Sequence, residues 1–230
     1  MFIDCKKSNL LEIYKVLSGS IIPRPIAWVS TRDTNGLYNL APFSFFNLFG
    51  VDPPTIAFAP GYKNIMGNGG GATREPKDTL RNIIDTREFV VNLVSRELGK
   101  KMNQTSGEYP HGTSEFDEVG LTAVSSRFVA APSVAESPVS MECKLVQIVQ
   151  HGNNNIVIGE IVGINVEDSV MDERGYINGN ALQAIGRMAG DWYTNTIEGN
   201  FEMARPCSLL KLTNHLYVIL TPTTILNHSV

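Results

Sequence analysis

The chain is poor in the residues from which most catalytic machinery is built. It has three cysteines, Cys5, Cys143 and Cys207, odd in number, far apart and never in a C-x-x-C pair. That argues against a disulfide framework and for a reducing compartment, the cytoplasm. None of them lies near the four histidines, so a zinc site is not expected. His111 and His151 stand in polar, glycine-containing stretches and read as exposed loop residues, while His215 and His228 fall in the C-terminal tail. There is no G-x-S-x-G elbow, no Walker A sequence and no G-x-G-x-x-G after a strand. Nothing pairs a nucleophile with a base. If the chain is an enzyme, a cofactor supplies the difficult chemistry.

Charge and long apolar runs are scarce too. Charged residues make up 18% and the net charge is -4, which leaves no basic footprint for extended nucleic-acid binding. The opening stretch MFIDCKKSNLLEIYKVL carries acid and base early and does not read as a signal peptide. No stretch approaches the ~18 apolar residues of a membrane-spanning helix. What remains is a chain of 230 residues, 43% hydrophobic, enough for one large domain with a sizeable core.

The pattern of what is there is mainly β. Residues 8–18 place Leu10, Leu11, Tyr14 and Leu17 at helical spacing after Ser8 or Asn9 as N-cap. IAWVSTR reads as a strand, Asn35-Gly36 as a hairpin turn, and PPTIAFAP (53–60) as a short strand between prolines. Residues 61–77, containing GNGGG, read as a loop of the length used for lids and binding loops. A helix follows, with Asp78 as N-cap and Leu80, Ile83 and Ile84 on one apolar face, then EFVVNLV as a buried strand. Ser95 to Gln104 reads as another short helix. Val139, Met141, Cys143 and Leu145 alternate with polar Ser140, Glu142 and Lys144, and IVIGEIVGINVED answers across HGNNN as a second long hairpin. Many strands and few helices predict an antiparallel β-barrel with α-helical additions.

Two places suit a planar heteroaromatic ligand. NLAPFSFFN offers an apolar surface beside hydrogen-bonding edges. Backbone amides from Ala41 to Ser44 can reach ring heteroatoms, and Pro42 keeps neighbouring groups out of a ladder. Ser30, Thr31, Ser44 and Asn47 suit a polyol or phosphate, whereas Trp28, Phe45 and Phe46 read first as core. The second place is Lys77-Asp78-Thr79 at a helix start, where unpaired N–H groups, the dipole and a lysine favour phosphate. The plain alternative there is a capped surface helix with a solvated lysine.

PRPIAWVST, NGLYNLAPFSFFN, DPP, KDTLRNI with EFVVN, ESPVSMEC, IGEIV and IGRMAGDWY follow one another over about residues 18–206. In that order they resemble the flavin reductase-like, FMN-binding split-barrel family. The resemblance implies a flavin-binding split barrel over 1–206 and a tail of uncertain structure at 207–230. It also implies a homodimer with FMN near the subunit interface, and an FMN site lined by Ser30, Thr31, the Ala41, Pro42, Phe43 and Ser44 backbone, Asn47, Lys77, Asp78 and Thr79. Lys77 and Thr79 would approach the phosphate, and Ala41 to Ser44 would edge the isoalloxazine. The implied activity is that of a flavoprotein oxidoreductase. The alternatives are an electron carrier between protein partners and a flavin-binding module without turnover. NAD(P)H and a protein are the two candidate electron donors. Related reductases often carry Gly-Asp-His in the turn that is HGNNN here, so slow or absent use of NAD(P)H is expected.

Overall fold

One face of nearly every strand is apolar, and that periodicity decides the architecture. The computed structural model describes residues 1–63, 75–110 and 112–197, so most of the glycine-rich loop, His111 and the 207–230 tail lie outside the described residues. The elements are α1 (Leu10–Ser20), β1 (Ala27–Arg32), β2 (Tyr38–Phe43), β3 (Phe46–Val51), β4 (Pro54–Phe58), α2 (Asp78–Thr86), β5 (Glu88–Asn92), α3 (Gly99–Gln104), α4 (Glu115–Val119), β6 (Ala123–Val124), β7 (Ser133–Val134), β8 (Val139–His151), β9 (Asn154–Val166), α5 (Gly179–Leu182), β10 (Ile185–Arg187) and β11 (Tyr193–Asn195).

The main sheet has seven strands in the order β2-β1-β5-β8-β9-β4-β3, each pair antiparallel. Alternate residues point to its inner face and meet in one core: Ala27 and Val29, Phe43, Ile56 and Phe58, Phe89 and Val91, Cys143 and Leu145, Val157 and Ile161. α2 closes one end of this core with Leu80 and Ile83. The fold is the mainly β barrel that the strand pattern predicts, in the split form that the family resemblance implies. β2 and β3, consecutive in the chain, are the two edges of the sheet, so the seam of the barrel lies between them.

Both expected hairpins form. Between β1 and β2 only Gly36 takes positive φ, at 96°, and Asp33 Oδ1 accepts the Asn35 and Leu37 N–H groups at 2.9 and 2.7 Å. Between β8 and β9, His151 pairs with Asn154 around a turn at Gly152 with φ of 60°. Asn9 caps α1, its side chain accepting the Glu12 N–H at 2.9 Å. Among the described residues nothing covers the apolar stripe of α1: Leu10, Leu11, Tyr14 and Leu17 are all exposed.

Local expectations need correction, and the helix expected from Ser95 begins only at Gly99. The N-cap of α2 is Lys77, and Asp78 is the first helical residue. Its carboxylate instead accepts from Arg81 at 2.6 Å, one turn along. Ile84 does not join Leu80 and Ile83, because the barrel receives only the narrow stripe facing β1, β2 and β5; Ile84 is exposed. The polar face of β8 is covered at Ser140 and Glu142, while Lys144 stays exposed. The 126–134 segment folds over the covered part, and buried Glu142 accepts the Arg127 N–H at 2.9 Å and the Phe128 N–H at 2.6 Å. Desolvation would raise the Glu142 pKa, but these bonds, the Asn165 amide and the Arg127 charge outweigh it and lower it.

Curvature is built into the long hairpin. The β8–β9 register shifts between Glu142 and Cys143 and again between Leu145 and Gln147. Such bulges add local twist and let a sheet close on itself. Gly159 pairs with Leu145 at the second shift, and the Phe89 ring occupies the place where a Gly159 Cβ would stand. Gly159→Ala should therefore destabilise the fold by about 1–3 kcal/mol, the usual cost of overpacking. Urea unfolding measures it, and Phe89→Leu in the same chain should recover part of the loss.

Candidate functional site

Thr31 and Asn39 are cross-strand partners on β1 and β2. Both side chains lie on the barrel's inner face, beneath the first turns of α2. Asn39 Nδ2 donates to Thr79 Oγ1 at 2.9 Å, and Asn82 Nδ2 donates to Thr31 Oγ1 at 3.0 Å. All four residues are buried. The two amides thus fasten the start of α2 to the β1–β2 hairpin, and they fix where Lys77 and the first helical N–H groups stand. Sequence reading found Thr31 and Thr79 but missed Asn39 and Asn82. The available signal was a polar residue inside each apolar pattern, at spacing that points inward.

Ser30 takes another role. It neighbours Thr31 in sequence but points to the opposite face of the sheet. There it donates to the Pro132 carbonyl and accepts from Asn92 Nδ2 at 3.1 Å. Asn92 also donates to the Trp28 carbonyl and accepts the Val134 N–H at 2.9 Å. Ser30 and Thr31, both expected in a polyol or phosphate site, are divided by strand alternation. Ser30 and Asn92 hold β1, β5 and the 132–134 segment together.

The open edge of β2 is managed by two devices. The Leu40 N–H points outward, away from β1, and donates to Glu115 Oε2 at 2.8 Å. Alternation then turns the nitrogen of Pro42 outward as well, where its missing N–H costs no ladder bond. Glu115 is only 8% exposed. Burial raises its pKa to about 7, the Leu40 N–H and its own backbone N–H oppose the rise, and Asp78 adds to it. Beyond Pro42 the strand ends at buried Phe43 and half-buried Ser44.

Lys77 Nζ lies 5.6 Å from the centroid of the Phe43 ring. Lys77 is an exposed residue, yet the atoms packed around its ammonium lower its pKa by desolvation, with the charge of Glu108 opposing. It has no carboxylate within 4 Å among the described residues. Its neighbour Asp78 pairs with Arg81 and with Lys63 at 3.8 Å. A cation at the N-terminus of a nine-residue helix, beside an aromatic ring, is suited to an anion attached to a planar group. The structure therefore joins Ala41, Pro42, Phe43, Ser44, Lys77, Asp78, Thr79 and Thr31 in one region. Asn47 stands on β3 across the seam, exposed, with its side chain accepting its neighbour's Leu48 N–H.

Among the described residues this region forms a shelf. A cavity of about 500 Å³ lies elsewhere, on the outer face between the 124–138 segment and the ends of β8 and β9. Its principal acid, Glu142, is already satisfied by backbone amides. A smaller cavity of about 180 Å³ touches Pro42, Phe43 and Ser44. No helix among the described residues is long and apolar enough to cross a membrane.

Comparison with known proteins fits this geometry. The family described as "Flavin reductase like domain" matches residues 18–184. An uncharacterized protein of Aquifex aeolicus is 40% identical over 188 residues, 82% of this chain and 92% of that one. The crystal structure of nitrilotriacetate monooxygenase component B from Bacillus cereus superposes with a TM-score of 0.81 at 31% identity, covering 88% of this chain and 98% of the other. That of 2-nitrobenzoate 2-nitroreductase from Pseudomonas fluorescens gives 0.79 at 30% identity, covering 91% and 98%.

The Glu115 carboxyl yields a pH prediction. Its folded pKa of about 7 exceeds the ordinary value of 4.5, so the folded state binds the proton more tightly. Stability from the protonated form is fully present below pH 4.5 and is lost as pH rises through about 7. Glu115→Gln removes this titration. Between pH 5 and pH 8 the wild type should lose on the order of 1–3 kcal/mol relative to the variant, read from paired thermal or urea melts.

Proposed function

Because the chain belongs to the flavin reductase-like family, we propose that it is a cytoplasmic, FMN-binding oxidoreductase whose flavin lies on the shelf between β2 and the start of α2. The observation that carries this reading is Lys77, a cation at the N-terminus of α2, 5.6 Å from the Phe43 ring. Lys77 and the first-turn amides of α2 hold the phosphate, and Thr79 is kept in place by Asn39. The Ala41–Ser44 backbone edges the ring, Asn47 faces it from across the seam, and Thr31 anchors α2 from below. Ser30 contributes by holding β1. A lysine and one helix terminus suit a single phosphate, which favours FMN over a dinucleotide flavin. The bound flavin supplies the hydride or electron chemistry, and the protein supplies position and hydrogen bonds.

Among the described residues the surface near the shelf is apolar. Leu48, Phe49 and Val51 on edge strand β3 are 57%, 70% and 79% exposed, and the apolar residues of α1 are exposed too. An apolar sheet edge of this kind needs cover. A second copy of the chain supplies it in our reading, giving a homodimer with the flavin near the interface.

FMN titration followed by flavin fluorescence tests the site. Lys77→Ala should weaken FMN binding about 10–150-fold, the value of a charge-assisted hydrogen bond, with an unchanged far-UV spectrum. An unchanged dissociation constant removes Lys77 from the phosphate site.

The electron donor separates an enzyme from a carrier between proteins. The β8–β9 turn is Gly152-Asn153, with uncharged amides that offer no charge to a pyrophosphate. In anaerobic stopped-flow mixing with NADH and NADPH, bleaching of bound FMN should be slow or absent unless a partner protein or added flavin is present. Rapid bleaching at micromolar nucleotide would instead identify a nicotinamide-dependent reductase.

A further inference from the structure

The cavity of about 180 Å³ opens against the end of β2. Pro42 and Ser44 form one wall, Asn103 and Ser106 at the end of α3 another, and Arg187 and Tyr193 of the β10–β11 hairpin a third. At about 30 Å³ per water molecule it holds roughly six waters. That is room for one small organic group and far too little for a flavin or a dinucleotide.

The charge around it is one-sided. The Arg187 guanidinium stacks 4.6 Å from the Tyr193 ring centroid, and its side chain is 25% exposed. Among the described residues its one carboxylate partner is Asp191 at 3.9 Å, on a side chain fully in solvent. An ion pair of that length with a solvated acid neutralises little. Behind it stands Arg24, buried, donating to the carbonyls of Ser18, Ile21 and Met188 and to Ser44 Oγ. Arg24 also has no carboxylate within 4 Å among the described residues. Burial is the main cause of its lowered pKa, Tyr14 opposes, and the neighbouring Arg187 charge adds to the lowering. The Tyr193 hydroxyl donates to Asn103 Oδ1 at 3.1 Å and ties the hairpin to α3. The cavity thus has a planar, stacked guanidinium at its wall, neutral polar side chains opposite, and no acid among its lining residues.

We propose that this cavity binds the carboxylate of a small organic acid, with Arg187 as its charged partner and the Asn103 amide as a neutral donor; the Ser106 hydroxyl already donates to the Asn103 carbonyl at 2.6 Å. The fork of a guanidinium matches two carboxylate oxygens, and stacking on Tyr193 holds that fork in place. The cavity shares Pro42, Phe43 and Ser44 with the shelf assigned to the flavin, so the acid sits beside the ring edge as the second reactant. Only this last role rests on the flavin reading; the anion site stands without it.

Calorimetric titration with sodium benzoate, benzamide and inorganic pyrophosphate, on the chain with and without FMN, tests the assignment. Benzoate should bind at least about tenfold tighter than benzamide, both with FMN bound and without it. Arg187→Leu should abolish that preference, and Arg187→Lys should retain part of it, which keeps the test meaningful if the leucine variant folds poorly. Equal binding of benzoate and benzamide, or an undiminished preference in both variants, overturns the proposal. Tighter binding of pyrophosphate than benzoate overturns the carboxylate assignment, and mutual exclusion of benzoate and FMN shows that the cavity belongs to the flavin. FMN uptake is read separately by flavin fluorescence. Benzoate binding in a chain that takes no FMN thus leaves the anion site standing and the flavin reading refuted.

Discussion

A sheet of seven antiparallel strands that curls around one core must either close or manage two edges. Here the edges are β2 and β3, joined by only Ser44 and Phe45. Nearly every feature of the site follows from that seam. β2 cannot pair outward, so it carries a proline, and a buried carboxylate from α4 takes up its Leu40 N–H. β3 cannot pair outward either, and it leaves Leu48, Phe49 and Val51 in solvent. The chain reverses through a short link at the point where the two edges part. The Phe45 carbonyl of that link still accepts the Ala59 N–H at 2.9 Å, and the link lies next to apolar surface and next to the start of a helix.

The electrostatics of the site are set by which charges are paired. Asp78, Arg81, Lys63 and Glu75 form a local cluster at the mouth of α2. Among the described residues that leaves Lys77 as the cation available to a ligand on one side of the β2 terminus. On the other side Arg24 is spent on carbonyls near the end of α1, a favourable position for a cation. Arg187 has only a solvated acid beside it. The end of β2 therefore lies between two positive positions, one facing the shelf and one facing the small cavity.

Much of the barrel was legible because period-two alternation survives in β1, β5, β8 and β9, and because Asn35-Gly36 and Gly152-Asn153 are strong turn signals. The region of the site was legible through ordered short motifs rather than through any single residue. What escaped were features decided by packing between segments distant in sequence. Glu142 looks solvent-facing in its strand until the 126–134 segment covers it. Ser30 and Thr31 look like one polar pair until alternation sends them to opposite faces. Asn39 and Asn82 are ordinary polar residues until the register of β1 on β2 brings them under α2. Ile84 fits the helical stripe, but the stripe that the barrel accepts is narrower than the periodicity suggests.

The two tryptophans have opposite surroundings. Trp28 is wholly buried and donates its indole N–H to Thr105 at 2.9 Å, whereas Trp192 is 77% exposed in the turn of the β10–β11 hairpin. Its neighbour Tyr193 lines the small cavity and stacks with Arg187. The chain has no other tryptophan. Its near-ultraviolet emission thus divides into a shielded component that tracks the integrity of the β1 region and a solvent-sensitive one that tracks the hairpin. Movement at the cavity mouth is readable without a label, on a signal that the core does not share.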